Sequence, residues 1–250
     1  MHSGFYSIAS GMITRQNELD TIANNLTNLQ TPGYRASRLV TSAFEMEVQK
    51  RIGANGEKVL GDGVSYPITI VQEETALLEG GMLQNTGREL DFALNGDAYF
   101  NVQGEDGTTY LTRNGQFLVD DQGYLVLPNI GRVLGKNGPL QVGEDGIIVD
   151  ELGNVYNKQG QQVGSFLLTR PADDTTMMKM GNGMFTAPQG TVNADDYQVV
   201  QFTLEKSNVD MNREMSNFIA AQRAFQSCSS ALQIIDGIDR KAVAQIGAVQ

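Results

Sequence analysis

The sequence predicts an α+β protein. N- and C-terminal α-helices pair as a coiled coil, and an antiparallel β-rich domain is inserted between them. Three observations predict this. Apolar residues recur at alternating spacings of 3 and 4 from Phe5 to Leu29. They recur again at intervals of seven from Met211 to Leu232. Between these stretches, short apolar runs alternate with turn pairs rich in Gly, Asn and Asp. The predicted organisation is a coiled-coil helix at 1–36, an extended linker or short helix region at 37–79, a β-rich domain at 80–204 and a second coiled-coil helix at 205–250.

The first helix rests on Phe5, Ile8, Met12, Arg15, Leu19, Ile22, Leu26 and Leu29. Their spacing is that of a heptad seam, with one polar interruption at Arg15. Thr31-Pro32-Gly33 stops the helix, because Pro lacks an N–H and restricts the residue before it. In the last helix Met211, Phe218, Phe225 and Leu232 form the seam, with Met215 beside Met211 and polar Gln222 and Ser229 at the second stations. After Leu232 the frame shifts to Ile235, Ile238, Ala242 and Ile246, either a stutter in the coiled coil or packing on several neighbours. Ser207 and Asn208 read as N-caps for this helix.

In the middle, Val64, Tyr66, Ile68 and Ile70 alternate with Ser65, Pro67 and Thr69. That is a strand pattern, with Pro67 favouring an edge. The segment from Ser37 to Ile52 reads either as a short helix or as an ordered extension. From Gly80 to Thr203 the turn signals include Asp106-Gly107, Asn114-Gly115, Gln122-Gly123, Asn137-Gly138, Glu144-Asp145-Gly146 and Gly181-Asn182-Gly183. Asp and Asn tolerate the left-handed region and Gly adopts positive φ freely, so short antiparallel strands are predicted here.

Composition excludes several functions. The chain of 250 residues carries 18 Lys+Arg against 29 Asp+Glu, a net charge of −11. Phosphate binding needs clustered Lys and Arg, so nucleic acid is not an expected partner. One histidine, His2, and one cysteine, Cys228, rule out an internal disulfide and argue against a zinc site or a His-based triad. No run of about 18 apolar residues predicts a membrane span. Met1 to Gly11 lacks the basic and long apolar regions of a cleaved secretory signal.

Neither helical stripe can bury itself, and an isolated amphipathic helix is marginal in water. Pairing the two ends still leaves apolar surface uncovered. Copies packed side by side resolve this, and a sticky surface that does not meet its own mirror image grows into a helical filament.

Four blocks of sequence resemble one family. They are Ile22-Ala23-Asn24-Asn25-Leu26-Thr27-Asn28 with Thr31-Pro32-Gly33-Tyr34; Glu79 to Gly87 with Leu90-Asp91-Phe92-Ala93-Leu94; Tyr110 to Gly123; and Ser207-Asn208-Val209-Asp210 with Gln222-Arg223-Ala224-Phe225. Together they resemble the bacterial flagellar rod and hook axial proteins. The resemblance implies a structural subunit of the basal-body rod with no enzymatic activity and no cofactor. It implies export without a cleaved signal through the flagellar type III apparatus. Partners would be itself and other rod and hook axial proteins, joined through the terminal helices into a torque-transmitting tube. Val133-Leu134-Gly135-Lys136-Asn137-Gly138-Pro139-Leu140 looks more like proximal-rod relatives; the alternatives are a distal rod or hook subunit. From another class, a cell-wall-binding module remains a competing reading.

The candidate assembly residues are Phe5, Ile8, Met12, Arg15, Leu19, Ile22, Asn24, Asn25, Leu26, Leu29, Met211, Met215, Phe218, Gln222, Phe225, Leu232 and Ile235. Asn24 and Asn25 read as hydrogen-bonding residues between subunits, against solvated positions beside the seam. Arg15 either sets register through a carboxylate such as Glu214 on a neighbouring helix or reaches to solvent. The doublets Asp120-Asp121, Asp173-Asp174 and Asp195-Asp196 are turn residues, because adjacent residues on a strand face opposite ways and cannot form a carboxylate pair. Glu144-Asp145-Gly146 lacks the ligand pattern of a calcium loop. Met177, Met178, Met180 and Met184 suggest adaptable packing or contact.

Overall fold

A computed structural model describes residues 2–45, 67–76, 79–143 and 146–247. Two helices flank a domain of short antiparallel strands, as the patterning predicts. The chain divides into two compact units. One comprises Met1–Leu26, Ser37–Thr75 and Met211–Gln250; the other comprises Thr27–Ala36 and Ala76–Asp210.

In the first unit, α1 spans His2–Thr27 and α2 spans Met211–Gly247. The hydroxyls of Thr14 and Thr21 donate to the carbonyls of Ser10 and Asn17, one turn back. These bonds let two buried threonines sit inside a helix without an orphaned polar atom. The N-cap expectation for Ser207 and Asn208 is corrected: α2 begins at Met211, and the Asn208 side chain bonds elsewhere. Glu214 in the first turn suits the positive end of the helix dipole. The ambiguous stretch after Ala36 is a strand, Ser37–Glu45, paired with Pro67–Ala76. Val64 to Tyr66 and the remainder of that linker to Ile52 lie outside the described residues, as do Glu144 and Asp145.

The second unit is the β unit. Its largest sheet runs in the order Met178–Lys179, Met184–Thr186, Thr109–Thr112, Tyr99–Gly104, Gly131–Gly135, Leu125–Leu127, Leu118–Val119, with antiparallel neighbours throughout. A smaller sheet joins Ile147–Val149, Asn154–Asn157 and Gln162–Ser165. The strand Tyr197–Gln201 returns to pair with Phe92–Gly96, and Thr203–Glu205 pairs with Leu83–Asn85. Between these two ladders Phe202 adopts φ 62°, and its carbonyl accepts the N–H groups of Thr86 and Gly87. Alternating inward residues from these strands meet in one core. Four phenylalanines, Phe92, Phe100, Phe117 and Phe166, fill its centre with ring centroids 5.1 to 6.2 Å apart. Val102, Leu125, Val133 and Val155 close around them and are fully buried.

One turn recurs three times. Asp120, Asp150 and Asn157 each use Oδ1 to accept the N–H groups of the second and fourth residues ahead, at 2.8 to 3.0 Å. The fourth residue of each turn is a glycine at φ 79°, 78° and 79°: Gly123, Gly153 and Gly160. An Asx side chain imitates a backbone acceptor at the start, and glycine supplies the left-handed step, so the sequence D/N-x-x-G sets three hairpins by itself. Asn114-Gly115 differs from its prediction. Gly115 has no positive φ; it is needed because an added Cβ would lie 1.8 Å from the Phe92 carbonyl oxygen.

The turn carboxylates are held below their ordinary pKa. For Asp150 desolvation raises the value, but donors from Asn154, Tyr156 and Leu152 outweigh it. For Asp173 the Thr175 hydroxyl and N–H lower it. For Asp106 the Thr108 N–H and then the Tyr110 hydroxyl do so. A depressed folded-state pKa contributes stability above the unfolded value and loses it as pH falls through the folded value. The urea midpoint of the β unit is therefore expected to hold steady above about pH 5 and to fall below about pH 4, and Asp150→Asn should flatten that fall in a pH series read by circular dichroism. Phe166→Ala should cost about 3–5 kcal/mol, whereas Leu152→Ala at an exposed turn tip should stay within about 0.5 kcal/mol, both read from urea denaturation.

Candidate assembly interface

The two helices display apolar side chains that their own unit does not cover. On α2, Met211, Met215, Ile219, Ile234, Ile238 and Val243 are 44–72% exposed. On α1, Phe5, Tyr6 and Ile13 are 45–63% exposed. Of the seam residues read from sequence, Ile8, Met12, Leu19, Leu26, Leu29, Phe218, Phe225, Leu232 and Ile235 are half-buried, while Ile22 alone is buried. Ala221 is the buried residue of α2 among those described. Single exposed hydrophobics are ordinary; six on α2 and three on α1 mark a surface that a partner can cover.

The polar candidates divide. Asn24 is exposed. Asn25 is buried; its Nδ2 donates to the Ser37 carbonyl and its Oδ1 accepts the Ser37 N–H, both at 2.9 Å. That amide anchors the start of the strand Ser37–Glu45 inside the chain. Arg15 is exposed and pairs with Glu18 one turn ahead at 2.6 Å, an i,i+3 pair of small energetic weight. Gln222 is exposed. Cys228 is half-buried within α2.

The charged centre of the β unit was not foreseen. Glu205 and Arg35, with 3% and 2% of their side chains exposed, form an ion pair at 2.8 Å. Glu205 Oε1 also accepts the Gly81 N–H at 2.9 Å, and its Oε2 lies 3.9 Å from Arg113 Nη1. The Glu205 carbonyl accepts the Gly33 N–H at 2.8 Å. Arg35 donates to the Glu79 carbonyl. Arg113 donates to the carbonyls of Leu94 and Gly96 and lies 4.8 Å from the Tyr99 ring centroid. Lys179 completes the wall: its ammonium stands 3.9 Å from the Tyr34 ring centroid and donates to the Arg35 carbonyl at 2.6 Å. Burial depresses the Arg35 pKa; Glu205 opposes the shift and Arg113 adds to it.

Gly33 makes this packing possible. It stands at φ 67°, and an added Cβ would lie 2.3 Å from the Arg113 backbone. The helix ends at Thr27, before the expected stop, and the turn through Pro32-Gly33 lets the following Tyr34-Arg35 enter the β unit. The sequence offered one cue: a Tyr-Arg pair directly after a helix stop. It offered no sign of the carboxylate, since the partners come from opposite ends of the chain.

Other candidate chemistry is structural. Asp120 is taken up by its turn and by Arg132 at 2.9 Å. Asp173 accepts the N–H and hydroxyl of Thr175. Met177 packs against the small cluster of Tyr99, Leu111 and Phe185, whereas Met178 and Met180 are exposed. Among the described residues no three of His, Cys, Asp and Glu gather as metal ligands would, and no helix is long and apolar enough to cross a membrane.

Comparison with known proteins gives one consistent family. Residues 93–218 match the flagellar hook protein FlgE/F/G D1 domain. Residues 5–35 match the flagella basal body rod protein family, and residues 200–246 match the flagellar basal body rod FlgEFG protein C-terminal family. The flagellar basal-body rod protein FlgF of Caulobacter vibrioides is 31% identical, with 100% of each chain covered. FlgG of Bacillus subtilis is 33% identical, covering 95% of this chain and 97% of its own. FlgG of Borreliella burgdorferi is 30% identical, covering 95% and 96%. The resemblance carried by the four sequence blocks is thereby borne out, and the similar identities to FlgF and FlgG leave position along the rod undivided.

Removing the buried carboxylate tests the charged centre. Glu205→Ala leaves two guanidinium groups without their counter-ion and should cost about 3–5 kcal/mol in urea denaturation of the β unit. Glu205→Gln, which keeps an acceptor, should cost less. Equal stability of all three chains would show that the ion pairs hold nothing.

Proposed function

Because the chain belongs to the flagellar basal-body rod proteins, we propose that it serves as a structural rod subunit whose terminal helices pair as a coiled coil and join neighbouring copies into a helical tube. The observation that carries this reading is the uncovered apolar surface on both helices. Each large apolar side chain removed from water contributes about 1.5–3 kcal/mol. A row of such contacts, repeated along a filament, closes what one chain leaves open.

The interface we assign comprises the exposed and half-buried seam residues of α1 and α2, with Asn24 and Arg15 at its polar margin. The tube passes torque through lateral packing of stiff helices and needs no reactive group. Other rod and hook axial proteins are the expected neighbours above and below. The subunit reaches its site through the flagellar type III export apparatus. We place it in the proximal rod, on the likeness of Val133 to Leu140 to proximal-rod relatives.

Sedimentation of the purified chain over a concentration series tests the reading. The unaltered chain should form large assemblies above a threshold concentration. Met215→Asp and Phe5→Asp put a charge at an exposed seam position of each helix and should abolish assembly, while the β unit keeps its stability within about 0.5 kcal/mol. A fixed dimer or trimer at every concentration would replace the filament with a closed adaptor.

A further inference from the structure

The chain passes between its two units four times: after Leu26, after Ala36, after Thr75 and after Asp210. On the β unit's side, Asn208 stands beside the last of these passages, and its side chain bonds to segments beside two others. Asn208 Oδ1 accepts the Ala36 N–H at 2.6 Å. Asn208 Nδ2 donates to the Glu79 carbonyl at 2.9 Å. Its own N–H donates to the Tyr34 carbonyl at 3.3 Å. Asparagine suits this place because it offers an acceptor and a donor on one short stem.

These bonds lie outside the apolar core of the β unit and border its charged centre. Neither Ala36, Glu79 nor Asn208 belongs to the phenylalanine core or to the smaller cluster around Phe185. Asn208 is half-exposed. Glu205 and Arg35 already join the same segments through the buried ion pair. What Asn208 adds is fixed positions for the strands of chain that lead into and out of the helical unit.

We infer that Asn208 is a positioning residue for assembly: it holds the three connecting segments in one arrangement, so that every subunit presents them alike. This rests on the assembly reading above. A helical filament repeats one geometry, and a subunit whose connections wander must lose that freedom each time it docks. A knot formed beforehand removes the penalty from the docking step.

The test uses the full-length chain and two readouts. Asn208→Ala should raise hydrogen exchange at the Ala36 amide about tenfold, as loss of one ordinary hydrogen bond does. Exchange at core amides such as those of Val102 and Val133 should be unchanged. The concentration needed for half-maximal assembly should rise about tenfold. Lys206→Ala, at an exposed neighbour, should leave both readouts alone. Assembly of the Asn208→Ala chain at the unaltered threshold, with the Ala36 amide opened, overturns the inference. So does collapse of core protection in that variant, which would make Asn208 a general support of the fold. An unaltered chain that stays monomeric at every concentration overturns the assembly reading and this inference with it. Normal assembly of both chains overturns this inference alone.

Discussion

Two guanidinium groups and one carboxylate share a space that water barely reaches: Arg35, Arg113 and Glu205 expose 2%, 6% and 3% of their side chains. Desolvating an ion costs several kcal/mol, and mutual attraction offsets that only with good geometry and further hydrogen bonds. Here one carboxylate faces two cations, so backbone carbonyls of Glu79, Leu94 and Gly96 take up the excess positive charge. Those carbonyls come from two places in the β unit, Glu79 and the strand Phe92–Gly96. The centre can form only when the residues after α1, the residues leading to Leu83 and the residues before α2 are in place together. The β unit thus has a polar closure beside its apolar core.

The two units differ in how completely they finish their own burial. The β unit encloses four phenylalanines and a ring of aliphatic residues at almost no exposure. The helical unit buries Thr14, Thr21, Ile22, Asn25 and Ala221 among its described helical residues, two of them apolar, and leaves Met and Ile side chains in water. A helix earns little from propensity alone; its stability comes from the surface it packs against. This contrast fits a chain that keeps one unit stable alone and completes the other in company.

Much of this was legible from sequence where the signal was local. The turn code D/N-x-x-G is written within five residues, so Asp120, Asp150 and Asn157 announce their hairpins without reference to the rest of the chain. Helical period and the Pro32-Gly33 stop are local in the same sense. What failed was local reasoning applied to residues with distant partners. Asn208 looked like a helix cap, which is what Asn does before a helix, but its side chain binds Ala36 at a separation of 172 residues. Asn25, read as an interface residue, also holds Ser37 within its own chain, a contact no local pattern marks. Gly115 looked like a turn and is a place where the backbone passes too close to Phe92 for a side chain. Arg35 has only the cue of its place after Tyr34 and a helix stop, and a charge in that place is normally solvated.

The long separation is not the costly part of the closure. Loop entropy grows as the logarithm of length, so joining residues 172 apart, as Ala36 and Asn208 are, costs about 1 kcal/mol more than joining residues 44 apart, as Arg35 and Glu79 are. The costly part is the burial of charge. Apolar side chains of equal volume often hold a protein together as well as a buried ion pair does. They would not hold it in one arrangement, because apolar contact has no direction. A carboxylate between two guanidinium groups, with an asparagine beside it, accepts one geometry and rejects its neighbours. For a monomer that selectivity has little use. For a subunit that must match its copies along a filament, it converts a tolerance in where the connections sit into a single defined position.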